Sequence, residues 1–384
     1  MREKITNVNH NIIKWARLKS GYSLEDIAKV FNKKKGVMED WEAGIDFPTY
    51  IQLEKLAEKY GRSVAFFFIS DPPKQEEGLA DKVMLRSSEL VKLKPKVYSL
   101  YRQAFARQLA LEELFEAEDF SNDKIFNVIQ ATNNRSFIEL AAEVREYLGV
   151  SIEDQMSWKD TTTALQMWRD EIHNKGIFVF KEAFDDNQVD GFCLTHKTFP
   201  VIYLNNTNVE SRQIFTLFHE LAHLLLGNNG ITSDLTFKNK NDEQFCNHFS
   251  SEFLVPLEHF SKHPSSVEYS DEAVSDLANE YKVSLQVILY KFRQKEVISE
   301  PFFQRKLSEW IKRGKNKAAN SQSSGGGNYY YNQIMYLGRH FLTLAFKKHY
   351  EGKCSVDQLA SYFNVQEKNI SKLEDIFIQR IANA

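Results

Sequence analysis

Residues 215–227 read FTLFHELAHLLLG, and the five residues His219-Glu220-Leu221-Ala222-His223 within them decide how the rest of the chain is read. The run is apolar and free of helix breakers, and its spacing predicts a helix. On a helix, residues four apart share a face, so both imidazoles reach one metal ion while Glu220 lies beside it. A zinc peptidase needs this pattern: two neutral histidines hold the ion, one position stays open to water, and a carboxylate takes the water's proton. A chance H-E-x-x-H in a chain of this composition and length has a probability of roughly one or two per cent. The plainer alternative is a pair of structural histidines on a buried helix.

Downstream, 19 residues (224–242) precede Glu243 in the stretch DEQFCNHFSSEFLVP. That is the spacing at which gluzincin-type peptidases place a glutamate on a second helix facing the first, so Glu243 is the expected third ligand. Asn247, four residues on, is expected on the same face, where it would orient a ligating imidazole from behind. The competitors are His248 and Glu252, turned away from Glu243 at about 100° per residue. Asp234 and Asp242 lie in a polar connector and read as solvated.

Upstream, a helix around residues 164–172 gives way at Lys175-Gly176 to three β-type runs, IFVF, GFCLTHK and FPVIYLN. A small sheet beside the H-E-x-x-H helix would present an edge strand able to hold an extended peptide by strand addition.

The stretches IYLN, RQIFTLFHELAHLLLG and EQFCNHFSSEFLVP, with the later YKVSLQVILYKFRQKEVI, resemble the ImmA/IrrE metallopeptidase family over residues 142–298. The resemblance implies zinc bound by His219, His223 and Glu243, with Glu220 as general base and Pro256 ending the helix that carries Glu243. It also implies a regulator that relieves repression by cleaving a specific repressor protein. Tyr203, His196 and His248 have suitable chemistry to stabilise an oxyanion, and the sequence does not choose among them.

The first 70 residues read differently. Ile12, Ile13, Ala16 and Leu18 have helical spacing, Ser23 caps SLEDIAKVF, a third short helix ends at Ala43-Gly44, and TYIQLEKLAEKYG makes a fourth. This arrangement resembles the repressor-like (Cro/C1, or XRE) helix-turn-helix family over about residues 8–70. Lys33, Lys34 and Lys35 are the candidate nucleic-acid contacts, suited to phosphates. Gly36, Glu39 and Asp40 follow where base-reading side chains would stand, and carboxylates there repel DNA. A helix-turn-helix retained for protein contacts is the competing reading.

The chain thus divides into a helix-turn-helix domain (1–72), a helical connector (73–135), a metallopeptidase domain (136–300), a basic Ser/Gly-rich linker (301–328) and a helical C-terminal region (329–384). Within the last, SVDQLASYFNVQEKNISKLE (355–374) aligns without gaps on SLEDIAKVFNKKKGVMEDWE (23–42). It is read as a second helix-turn-helix-like unit with Gln366, Lys368 and Asn369 at the reading position, against convergence of two short helices on one pattern.

Hydrophobic content of 42% with 29 Phe and 16 Tyr supplies ample core, and a net charge of −3 argues against wholesale binding of nucleic acid. Three scattered cysteines form no disulfide framework and suit a reducing cytoplasm. The first residues lack the apolar core of a signal peptide, so a soluble cytoplasmic protein is expected. The fold expected is mostly α with a small β-sheet (α+β). The function expected is a Zn2+-dependent endopeptidase acting on a repressor or antitoxin-like protein, with DNA and homo-oligomer formation as further contacts. The alternative is a DNA- or partner-binding regulator whose metal site is structural or only conditionally active.

Overall fold

Local capping fixes where the first helices begin and end. Residues 3–73, 93–115, 125–129, 136–186, 189–227, 240–320 and 328–382 are described in the computed structural model. Of these, 3–73, 93–106, 184–186 and 240 fall into one unit, and 107–115, 125–129, 136–183, 189–227, 241–320 and 328–382 into the other.

In the first unit, α1 (His10–Lys19), α2 (Leu24–Val30), α3 (Lys35–Ala43) and α4 (Tyr50–Tyr60) stand where the sequence placed them. Ser23 and Asp26 form a reciprocal capping box on α2, as do Thr49 and Gln52 on α4. Gly44 and Gly61 close α3 and α4 in the left-handed conformation that glycine adopts without strain. Ile12, Ile13, Ile27, Met38, Trp41, Leu53 and Leu56 make the core. Arg17 ties α1 to α3 through Glu42, its Nη2 donating across 3.0 Å. A later helix, α5 (Pro95–Leu114), has its residues up to 106 in this unit and those from Arg107 on in the second.

The second unit is built around three strands, β1 (Phe178–Glu182), β2 (Gly191–Leu194) and β3 (Val201–Asn205), in the order β1-β3-β2. β1 runs parallel to β3, and β2 runs antiparallel to it, with Phe192 opposite Tyr203. Alternation divides their side chains between two faces. Val179, Cys193, Ile202 and Leu204 join the core made with the surrounding helices. Phe180, Phe192 and Tyr203 stack on the other face, with Arg107 lying over Phe180 and Tyr203.

Before the sheet come α6 (Phe137–Leu148), α7 (Ile152–Ser157) and α8 (Thr161–Asn174). After it come α9 (Glu210–Leu226), α10 (Lys240–Leu254), α11 (Leu257–Lys262), α12 (Asp271–Glu280) and α13 (Leu285–Gln294). α9 is the central helix: Ile214, Leu217, Phe218, Leu221, Ala222, Leu224 and Leu225 are all buried, more of its circumference than an amphipathic surface helix covers. Phe218 stacks on Phe253 of α10 at 4.0 Å, and both meet Trp168 of α8 edge-on.

The C-terminal carbonyls of α10 need partners, since the last turn of a helix has none of its own. Arg145 donates to the Phe253 carbonyl, and Gln155 Nε2 donates to the Leu254 carbonyl across 3.0 Å and to that of Tyr281 across 2.7 Å. Pro256 follows the end of α10, as the sequence anticipated.

One expectation is corrected. The linker placed at 301–328 is helical up to Asn320, in α14 (Glu300–Asn320). Phe302, Phe303, Leu307 and Trp310 recur at helical spacing and pack on the core, which gives a basic stretch a reason to fold. The Ser/Gly run SQSSGGG at 321–327 lies outside the described residues.

α15 (Tyr329–Leu337), α16 (Arg339–Tyr350), α17 (Val356–Phe363) and α18 (Ile370–Ala382) complete the unit. The sequence echo is matched locally by structure. Ser355 and Gln358 form a capping box as Ser23 and Asp26 do, and Asn364 (φ 53°) and Asn32 (φ 50°) both end their helices left-handed. Leu359, Ala360, Ile370 and Leu373 are buried, as are their counterparts Ile27, Ala28, Met38 and Trp41. The tail's reading position is not bare, however. Tyr330 of α15 donates its hydroxyl to Asn369 across 3.2 Å, and Lys372 lies over the Tyr330 ring. Among the described residues, no helix is long and apolar enough to cross a membrane.

Candidate metal centre

α9 and α10 bring three ligand-type side chains to one point. His219 Nε2 and His223 Nε2 are 3.0 Å apart. The Glu243 carboxylate reaches both, Oε2 to His219 and Oε1 to His223, each at 3.2 Å. Among the described residues these form the one group of three able to hold a metal ion.

The donor triangle fits zinc. A tetrahedral ion with bonds of about 2.0–2.1 Å separates neighbouring ligand atoms by roughly 3.3–3.4 Å, close to the spacing observed. Two imidazole nitrogens and one carboxylate are also a common catalytic donor set for that ion. Burial works against ionising Glu243, yet hydrogen bonds from His219 and His223 outweigh it and hold the carboxyl well below the usual range. The glutamate is therefore an anion, ready to ligate.

Glu220 follows His219 on α9 and is buried, 4% exposed. The edge strand β2 passes beside it at Gly191. A Cβ added to Gly191 would lie 2.6 Å from Thr216 Cγ2, 2.7 Å from the Tyr203 carbonyl oxygen and 3.6 Å from Glu220 Cγ. Only the missing side chain lets β2 approach α9 this closely. Asp190 fixes the start of that strand, accepting from Arg212 Nη2 at 2.7 Å and from Asn208 Nδ2 at 2.9 Å.

Asn247 does not stand behind a ligand. It is exposed, and the group that meets His223 Nδ1 is the Cys246 thiol at 3.5 Å. The reason lies in the helix face. From Phe249 onward every residue of α10 is buried, whereas in its first half Cys246 is the buried residue and Asn247, about 100° further round, is turned to solvent. Counting four residues on from Glu243 therefore leads outward, and the side chain behind His223 comes from position 246.

The competing candidates are committed elsewhere. Glu252 pairs with Lys291 at 2.7 Å and accepts the Leu257 N–H at 3.0 Å. His248 is sandwiched between Phe137 and Tyr290, and burial, with Arg293 and Lys291 nearby, pulls its pKa down. His196 Nδ1 accepts from the backbone of Thr198 and Phe199, while its Nε2 faces Glu112. Tyr203 lies on the sheet face away from α9, accepts from Arg107 Nη1 at 2.8 Å, and is pushed up to about 12 by burial. Tyr203 is thereby turned away from α9, and both ring nitrogens of His196 have partners of their own. Asp242 is half-buried beside Glu243, and Asp234 lies outside the described residues.

In the first unit, Lys33, Lys34 and Lys35 are exposed, and Lys35 is held by Glu25 at 2.9 Å and Glu39 at 3.6 Å. A lysine so neutralised is a weaker phosphate contact.

Paired helices carrying two histidines and a glutamate, beside a small sheet, make an arrangement able to hold a metal ion. Residues 172–293, which contain the three strands, α9 and Glu243, match the family model of the IrrE N-terminal-like domain, Peptidase_M78. That match supports the ImmA/IrrE reading for this stretch. No curated protein and no solved structure matches the chain.

Proposed function

We propose that the protein is a zinc-dependent endopeptidase that cleaves one regulatory protein, of repressor or antitoxin type, in the cytoplasm. The observation that carries this reading is the triangle of His219, His223 and Glu243 with Glu220 beside it under the edge strand. His219, His223 and Glu243 would hold the zinc, which would supply Lewis acidity and acidify a water. Glu220 would take a proton from the attacking water and return it to the leaving amine, the transfer a buried carboxylate performs in general acid–base catalysis. β2, at the edge of the order β1-β3-β2, is the strand along which an extended substrate segment would lie.

The four N-terminal helices are assigned to recognition, of DNA or of the partner protein, in the manner of an XRE helix-turn-helix. The pairing of Lys35 with Glu25 and Glu39 favours protein over phosphate. The domain scheme of 1–72, 73–135, 136–300 and 329–384 is retained as part of this proposal. The competing function, a regulator with a structural metal, has no use for an intact Glu220.

The test compares wild type with Glu220→Gln after zinc has been quantified in both. Each is incubated with candidate repressor and antitoxin-like proteins, and the products are read by mass spectrometry. The expected result is one zinc in each protein and a defined cut by wild type alone. Equal cutting by both, or zinc-loaded wild type that cuts none of them, would sink the assignment.

A further inference from the structure

Resting on the metal-centre reading above, we propose that Cys246 is the positioning residue for His223. Its sulfur accepts the Nδ1–H hydrogen bond that fixes the tautomer and ring angle of this ligand. Sγ and Nδ1 are 3.5 Å apart, the length of an N–H···S bond, and both side chains are shut off from solvent. For Nε2 to face an ion with its lone pair, a neutral imidazole must carry its proton on Nδ1, and that proton needs an acceptor. Cys246 Sγ stands at the distance to take it. His219 makes the comparison within the same site: its Nδ1 is buried and has no hydrogen-bond partner among the described residues. One ligand is therefore oriented from behind and the other is not.

A thiol is an unusual choice for this task. Sulfur is a weak acceptor, so it sets the angle of the ring without the gain in basicity that a carboxylate would give. The same side chain also fills space in the seam between α9 and α10, and the experiment must separate the two roles.

Zinc affinity is measured by competition with a chromophoric chelator for wild type, Cys246→Ala, Cys246→Val and Cys246→Ser, with the melting temperature of each apo protein alongside. Valine fills the volume without an acceptor, and serine keeps an acceptor at the cost of volume. The proposal expects both Ala and Val to weaken zinc about ten-fold, with Ser remaining nearer to wild type than either. The apo melting temperature of the Val variant should stay close to wild type. Val binding zinc as tightly as wild type, or Ser binding as weakly as Ala, would overturn it. His223→Ala separates this failure from that of the centre itself. If wild type binds zinc no better than His223→Ala, the metal site is wrong; if only the Cys246 series is flat, the positioning role is wrong.

Discussion

Glu252 and Lys291 form a 2.7 Å ion pair in the core, between the helix that supplies Glu243 and α13. Burial presses the lysine to shed its proton, and the carboxylate beside it opposes that. Deleting one partner strands the other. Lys291→Met is expected to cost about 3–5 kcal/mol in urea unfolding, and adding Glu252→Gln should recover a large part of it. Strict additivity in the double-mutant cycle would show that the pair is not coupled.

Arg145 closes the far end of the same helix. It donates to Phe253 and Val150 carbonyls and to Gln155 Oε1, and lies over the Phe253 ring at 4.5 Å. Burial lowers its pKa to about 9. Arg145→Met keeps much of the stem and loses the donors, leaving buried carbonyls unpaired. The expected loss is about 2–4 kcal/mol by chemical denaturation. A change within about 0.5 kcal/mol would mean that water replaces the guanidinium without penalty.

Gly191→Ala tests the approach of β2 to α9. The new methyl meets Thr216 Cγ2 and a backbone oxygen at under 3 Å, and overpacking of this kind costs about 1–3 kcal/mol. Adding Thr216→Ser should restore part of the loss, because only the side-chain clash is relieved. No rescue by serine would place the strain wholly on the backbone.

His173 gives the stability a pH dependence. It stacks on His340 at 4.1 Å and packs edge-on against Phe178, with Arg169, Asp170 and Arg339 in the same pocket. Burial first, then His340, pulls its pKa down to about 3, against 6.5 for an ordinary histidine. The unfolded chain therefore takes up a proton below 6.5 that the folded chain refuses. Stability falls as pH drops from 6.5 towards 3, at up to about 1.4 kcal/mol per pH unit for this group. His173→Phe should flatten that slope in melts across the window; an unchanged slope would assign the acid sensitivity to other groups.

Metal removal supplies a further test. Free zinc at a hundred times its Kd stabilises by about 2.7 kcal/mol, so a chelator should lower the melting temperature of wild type. Glu220→Gln should show the same drop, while Glu243→Ala should show less. A melt indifferent to zinc in wild type would contradict the centre.

Much of this was legible in the sequence. The helix of H-E-x-x-H, the partner helix with Glu243 and the three short strands each carry a local signal: a four-residue repeat, a fixed spacing, a run of branched and aromatic residues. Asn247 was misplaced because a four-residue count from Glu243 does not say which side of α10 faces His223, and the side chain that meets that ring is Cys246. The linker at 301–328 was misread because lysines and serines masked Phe302, Phe303, Leu307 and Trp310. Pairings such as Gln155 with Leu254 depend on tertiary approach, and no local pattern encodes them.

Asn32 and Asn364 also bear on how such chains should be compared. The same twenty-residue grammar, with a capped helix, a left-handed asparagine and a second helix, is used at both ends of the chain. In the tail, Tyr330 engages Asn369 at the counterpart of a recognition surface, while Gln366 and Lys368 stay exposed. A search tuned to that grammar would report two equivalent nucleic-acid readers, whereas in one of them a reading position is already held by the chain itself. For helix pairs this short, what covers the outward face says more about the ligand than the pattern that builds the inward one.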